Sequence, residues 1–141
     1  MNKTSPPEAS LLWQVIHAGH GLETRLEAEL AVAGLSVAKA GLLRSLAQAG
    51  GSLTLSELAD RNQCVRSNIT QLVDRLEGDG LVTRVHDAKD RRVRLAELTA
   101  AGRTAAAEAV RITGAMERKV AEAVSHADAT DLSQVLARLA P

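Results

Sequence analysis

The chain has 141 residues, 45% of them hydrophobic, and 17 basic residues balance 17 acidic ones. That length and composition fit one soluble globular domain. Trp13 is its one aromatic residue, with no Phe or Tyr, which argues against base stacking on aromatic platforms and so against single-stranded nucleic acid as a target.

The same shortage means that Leu, Val, Ile and Ala must build the core, which favours closely packed helices. A lone cysteine, Cys64, rules out an intramolecular disulfide framework and fits a reducing compartment. No segment reaches the roughly 18–20 apolar residues of a membrane span, and the first ten residues carry no long apolar run. A cytoplasmic location without membrane contact is therefore expected.

Residues 1–6 read as a lead-in, and a long helix is expected from Pro7 to Gly34. Its stripe is Leu12, Val15, Ile16, Gly19, Leu22, Leu26 and Leu30. Gly19 and Gly21 inside it point to a bend or a close helix crossing. Ser36 caps a second helix with Leu42, Leu43 and Leu46 inward, and Gly50-Gly51 stops it. Thr54-Leu55-Ser56-Glu57 reads as a capping box, with Leu53 and Leu58 spaced for a hydrophobic staple. The short helix Leu55–Arg61, the turn Asn62-Gln63-Cys64 and the helix in Val65–Gly80 together make a helix-turn-helix.

In that last helix Ile69, Leu72, Val73 and Leu76 form an apolar stripe at i, i+3, i+4 and i+7. Arg66, Ser67, Asn68, Thr70 and Gln71 fall mostly off the stripe, in the first two turns. Short hydrogen-bonding side chains beside an Arg at a helix start suit a helix laid into a DNA major groove. Asp74, Arg75 and Glu77 read most simply as salt-bridge partners. Beyond Gly78 and Gly80, Leu81–His86 and Arg92–Leu98 have β character, with Val93 and Leu95 alternating with Arg92, Arg94 and Ala96. The polar tip Asp87–Arg91 joins them, and a helix-turn-helix followed by a basic hairpin is a winged helix. From Arg84 to Arg94 stand Arg84, Lys89, Arg91, Arg92 and Arg94 against only Asp87 and Asp90, so basic charge is concentrated in the wing.

Thr99 caps a long helix with Ala109, Ile112, Met116, Val120 and Ala123 recurring. After a break over Ser125–Asp128, Leu132, Val135, Leu136 and Leu139 define a final helix. These apolar faces exceed what a small wing core covers. The expected fold is thus mainly α with a small two- to three-stranded β wing. One domain, 1–141, holds a winged helix-turn-helix core at 36–98 and flanking dimerisation helices at 7–34 and 99–140.

The chain resembles the MarR-type winged helix-turn-helix transcriptional regulators. The residues that carry the resemblance are LAD at 58–60, SNITQLVDRLEGDGLVTR at 67–84, DAKDRR at 87–92 and LTAAG at 98–102. The resemblance implies a homodimer on a pseudo-palindromic operator, usually a repressor and often released by a small molecule. Recognition-helix positions of that family fall on Arg66, Ser67, Asn68, Thr70 and Gln71. Its wing-tip arginine falls on Arg92, with Asp90 as the orienting carboxylate, and its strand arginine on Arg84. Where many members have an N-cap Ser or Asp, an Arg, a Pro, and an apolar residue followed by Gly, this chain has Val65, Gln71, Ala88 and Asn62-Gln63.

Those residue types suit double-stranded DNA. Arg66 matches guanine or a phosphate, and Asn68 and Gln71 match adenine edges, each good pair giving about 1–3 kcal/mol of discrimination. Arg92 suits a narrow A-tract minor groove, while Arg84, Lys89 and Arg91 suit phosphates. The family's effector cleft lies between its first helices and the long fifth one, so Trp13, His17 and His20 are candidates to line it, to line the dimer interface, or simply to pack. His86 and His126 do not converge with them, so no metal is expected. With no nucleophile–base spacing and no phosphate-cradling Gly loop, no enzyme and no cofactor are expected either. Two other readings stay open: a winged-helix dimer that only pairs with proteins, and a regulator switched by oxidation of Cys64.

Overall fold

The computed structural model describes residues 10–63 and 66–139; the side chains of Arg66, His126 and Ala127 lie outside that description, as do Cys64, Val65 and the start expected at Pro7. The elements are α1 (Leu11–Ala31), α2 (Val37–Gln48), β1 (Ser52–Thr54), α3 (Leu55–Arg61) and α4 (Arg66–Gly78). They are followed by β2 (Val82–His86), β3 (Arg94–Leu98), α5 (Ala100–Ala123) and α6 (His126–Leu139).

Local chemistry sets most boundaries. Ser36 Oγ accepts the Lys39 N–H at 3.2 Å and starts α2, and Glu27 Oε2 accepts the Val37 N–H at 2.8 Å, tying that start to α1. Thr54 and Glu57 satisfy each other's backbone N–H groups at 3.2 and 2.8 Å, the capping box expected for α3. At the end of α4 the Leu81 N–H reaches back to the Leu76 carbonyl at 2.9 Å. Gly80 stands between them at φ +73°, a conformation that glycine adopts without steric cost.

The sheet is three-stranded and antiparallel in the order β1-β3-β2. Register pairs Leu53 with Ala96 and Val85 with Leu95, so a short strand before α3 backs the hairpin after α4. That strand closes the sheet on one side and leaves β2 as the outer strand of the wing.

One core joins these pieces. Leu30 of α1, Leu42, Leu43 and Leu46 of α2, Leu58 of α3, and Ile69, Val73 and Leu76 of α4 are buried together with Val82, Ala96 and Leu98 of the sheet. Each such Leu, Ile or Val contributes about 1.5–3 kcal/mol on burial. Helix α5 enters the core through Ala106, Ala109 and Ile112, and the small residues let it lie close against α2.

The terminal helices behave differently. Leu30 is buried, but Leu11, Leu12, Trp13, Val15, Ile16 and Leu22 are exposed, and so are Leu132, Val135, Leu136 and Leu139 on α6. A Cβ added at Gly19 or Gly21 would meet nothing within 4 Å, so neither glycine marks a helix crossing within the described chain. The first half of α1 extends past the core that only its second half covers. The expected break before α6 is also shorter than the sequence suggested, because Ser125 Oγ accepts the Asp128 N–H at 3.3 Å and caps the helix at once.

Candidate nucleic-acid interface

Helix α4 owes its orientation to burial of Ile69, Val73 and Leu76, which turns Ser67, Asn68 and Gln71 to the outside and leaves Thr70 half-buried. Arg75 lies one turn beyond Gln71 and two beyond Ser67, exposed on the same face. No ion pair engages it among the described residues. Sequence reasoning assigned Arg75 to a salt bridge, but the bridges belong to its neighbours. The i+4 step from Gln71 was the signal that points to it.

Those neighbours are Asp74 and Glu77, which face the wing. Both carboxylates pair with the guanidinium of Arg84 on β2, and Glu77 Oε1 also accepts the Arg84 backbone N–H at 3.3 Å. Partial burial favours the neutral form of Arg84. The hydrogen bond to Asp74 and the charges of Glu77 and Asp74 outweigh it and lift the pKa above the ordinary arginine value. The Arg84 side chain is only 20% exposed. Sequence reasoning put Arg84 on a phosphate; here it neutralises the carboxylates of α4 and fastens β2 to that helix.

The wing tip is organised by its own acidic residues. Asp90 Oδ1 accepts the Arg92 backbone N–H at 3.0 Å and its Nε–H at 3.3 Å. The Lys89 N–H donates to Asp87 Oδ1 at 3.1 Å, and the Asp87 N–H donates to the Val93 carbonyl at 3.0 Å, closing the tip. His86 Nδ1 lies 2.8 Å from the Arg91 carbonyl. These contacts fix the loop while the Arg92 side chain stays 92% exposed, beside exposed Lys89 and Arg91. An exposed cation at the tip of a hairpin that Arg84 ties to α4, together with the outward polar face of that helix, makes two sets of side chains of the kinds that contact duplex DNA.

The base of the wing is joined to α5. Thr99 Oγ1 accepts the Gly102 N–H at 3.0 Å and donates to the Gly80 carbonyl at 2.7 Å, and the Thr99 N–H donates to the Leu81 carbonyl at 3.1 Å. A Cβ on Gly102 would overlap that same Leu81 carbonyl, so glycine is what allows α5 to begin there.

Trp13, His17 and His20 are exposed on α1, with the Trp13 and His17 rings 6.1 Å apart. They do not line the cavity of about 160 Å³ enclosed by α1, α2 and α5, which is bounded by Leu26, Leu30, Val37, Ala40, Gly41, Arg44, Ala109 and Thr113. His20 instead borders an open groove along α1 with Glu23 and Glu27. Among the described residues no three His, Cys, Asp or Glu side chains are grouped to hold a metal ion, and no helix is long and apolar enough to cross a membrane.

Comparison with known proteins converges on the same region. The MarR family model matches residues 35–94. The HTH-type transcriptional repressor MdtR of Bacillus subtilis is 43% identical over 60 residues, a stretch covering 43% of this chain and 38% of MdtR. This chain thus aligns with well under half the length of that curated relative. Among solved structures, a mutant MarR from E. coli complexed with operator DNA superposes with a TM-score of 0.79 at 21% identity, covering 92% of this chain and 94% of that one. CouR from Rhodococcus jostii RHA1 bound to p-coumaroyl-CoA superposes with a TM-score of 0.81 at 23% identity, covering 91% and 90%. At those identities the two structures speak for the fold.

Proposed function

We propose that this chain, whose residues 35–94 match the MarR family model, is a MarR-type transcriptional regulator that binds double-stranded DNA as a homodimer. The observation that carries the reading is the pairing of Asp90 with Arg92, which holds a 92% exposed guanidinium at the tip of a wing that Arg84 fastens to α4. In this reading Ser67, Asn68, Thr70 and Gln71, with Arg66, meet base edges in the major groove. Arg92 enters the adjacent minor groove, and Lys89, Arg91 and Arg75 meet phosphates. Arg84 serves by holding the wing to the helix.

The exposed apolar residues of α1 and α6 support the dimer: helices that this chain leaves uncovered are covered by a second copy. Two copies related by a two-fold axis read a pseudo-palindrome, and the similarity of 60 residues to the repressor MdtR favours repression. The cavity among α1, α2 and α5 supports release by a small effector. Arg44 at its edge has no ion-pair partner among the described residues, which favours an anionic ligand.

Selection of duplexes from a random pool by the purified chain, followed by mobility shift across salt, tests the reading. A sequence-preferring complex that weakens steeply with salt is expected, with a log–log slope near −0.9 per phosphate neutralised. Absence of such a complex would leave the protein-pairing module as the better reading. Loss of the complex on peroxide treatment, restored by thiol, would favour the Cys64 switch.

A further inference from the structure

The turn that leads into α4 is held from behind by a polar contact in an otherwise apolar seam. Ser45 of α2 is the one buried polar residue of the described core, 6% exposed. Its hydroxyl donates to Asn62 Oδ1 at 3.4 Å, while Asn62 Nδ2 donates to the Leu58 carbonyl at 2.8 Å. A carboxamide is suited to both contacts, because it carries an acceptor on one arm and a donor on the other. Gly41 lies one helical turn before Ser45 on α2, and a Cβ there would sit 3.4 Å from the same Asn62 oxygen. That is ordinary van der Waals distance, so the amide lies directly against this turn of α2.

Capping of α3 does not account for this arrangement. The Leu58 carbonyl already receives the Asn62 backbone N–H at 3.1 Å, and the arm toward Ser45 does no capping at all. Around it the seam is built from Leu42, Leu46 and Leu58, where an apolar pair at 45 and 62 would serve packing as well. Buried polar pairs define geometry more than they add stability. Directly after Asn62, Gln63 has φ +48°, the only non-glycine residue in the left-handed region among those described. The chain is therefore anchored and then bent sharply, four residues before α4 opens at Arg66.

We propose that Asn62 is a positioning residue for DNA reading. Through Ser45 it fixes the start of the turn, and thereby the angle at which α4 offers Ser67, Asn68 and Gln71 to a major groove. The proposal rests on the DNA-binding function argued above.

Fluorescence anisotropy with a duplex selected by the wild-type chain provides the test, alongside thermal melting of each variant. Ser45→Ala and Asn62→Leu singly are expected to lower the melting temperature, since one leaves the half-buried Asn62 amide and the other the buried Ser45 hydroxyl without its partner, and to weaken binding about tenfold. The double variant removes both polar groups and is expected to recover most of the melting temperature. A purely structural pair would then recover affinity as well. A positioning pair leaves the double variant several-fold weaker with an unchanged salt slope, because no phosphate contact has been lost.

Wild-type affinity in the double variant overturns the proposal. If that variant does not fold, Gln63→Gly takes its place, because it frees the bend without touching the core. Reduced affinity in Gln63→Gly then supports the proposal, and unchanged affinity overturns it. A wild-type chain that selects no duplex removes the DNA-binding reading and this inference together, whereas wild-type binding with an unimpaired double variant removes the inference alone.

Discussion

Arg84 of β2 and Glu77 of α4 are joined at two points, guanidinium to carboxylate and backbone N–H to Oε1. With Asp74 as a third partner, the outer wing strand and α4 are fastened together over one turn of that helix. Arg84→Ala is expected to cost about 1 kcal/mol of stability, as partly exposed ion pairs do, and to weaken DNA binding through a loosened wing. Its salt slope should match the wild type, because the lost charge was already neutralised within the protein. A slope shallower by about 0.9 would instead put Arg84 on a phosphate.

Arg92→Ala should behave in the opposite way. The side chain is almost fully exposed and pairs only with Asp90 among the described residues, so folding and dimerisation should not change. Binding to a selected duplex should weaken about tenfold or more, a loss of about 1.4 kcal/mol for each factor of ten. The loss should be largest for sites flanked by A-tracts. Titrations against duplexes with and without the A-tract would check this. Equal losses on both would mean that Arg92 meets only phosphate.

Gly102→Ala should damage the fold rather than the DNA contact. The added methyl would collide with the Leu81 carbonyl, a backbone atom that already accepts the Thr99 N–H. Overpacking of this kind costs about 3 kcal/mol, visible in a urea unfolding midpoint. Gly19→Ala, where nothing lies within 4 Å, should leave or slightly raise stability in the same assay.

Glu57 ties stability to pH. The Thr54 backbone N–H, then the Thr54 hydroxyl, favour its ionised form and hold its pKa below the ordinary glutamate value, and Arg61 adds to this. A carboxylate depressed in the folded state stabilises fully above its unfolded value of about 4.3, and that contribution fades as pH falls through the folded value. Glu57→Gln keeps an acceptor but no charge. The stability gap between wild type and variant should be present at pH 7, begin to shrink below about pH 4.3 and vanish once pH falls below the depressed folded value. A gap that does not change with pH would show that charge plays no part.

Leu136→Glu places a charge within the exposed apolar stripe of α6. Sedimentation velocity is expected to show dimers for the wild type and monomers for the variant. DNA affinity should fall far more than for a wing variant, because both half-sites are no longer engaged together. A dimeric Leu136→Glu chain would move the interface away from α6.

Most of the fold was legible because its signals are local. Caps at Ser36, Thr54 and Thr99, and the reversal at Gly80, are side-chain or backbone events within a few residues, and each falls where the sequence puts it. The motif LTAAG also has a physical reading: Thr99 caps α5 and ties it to Gly80, while Gly102 makes room for Leu81. Partner choice was not legible. Asp74, Arg75, Glu77 and Arg84 all carry charge, and only the relative placement of α4 and β2 shows that Arg75 is the one left outward. A third strand was allowed for, but its place was hard to foresee, since Ser52–Thr54 is too short for a periodic pattern and pairs with β3 far along the chain. Apolar periodicity in α1 was read correctly as helical, but periodicity does not say which copy of the chain covers a stripe.

Helix α5 runs unbroken from Ala100 to Ala123, about 36 Å at 1.5 Å per residue. Its first turn is welded to the bend between α4 and β2, its middle walls the cavity shared with α1 and α2, and its far end leads to α6. Mechanically that is a lever. A tilt of about 5° over that length moves the welded end by about 3 Å, several times the tolerance of a hydrogen bond. A shift of the cavity wall, midway along the helix, would thus be about doubled at the wing, enough to make or break contacts there.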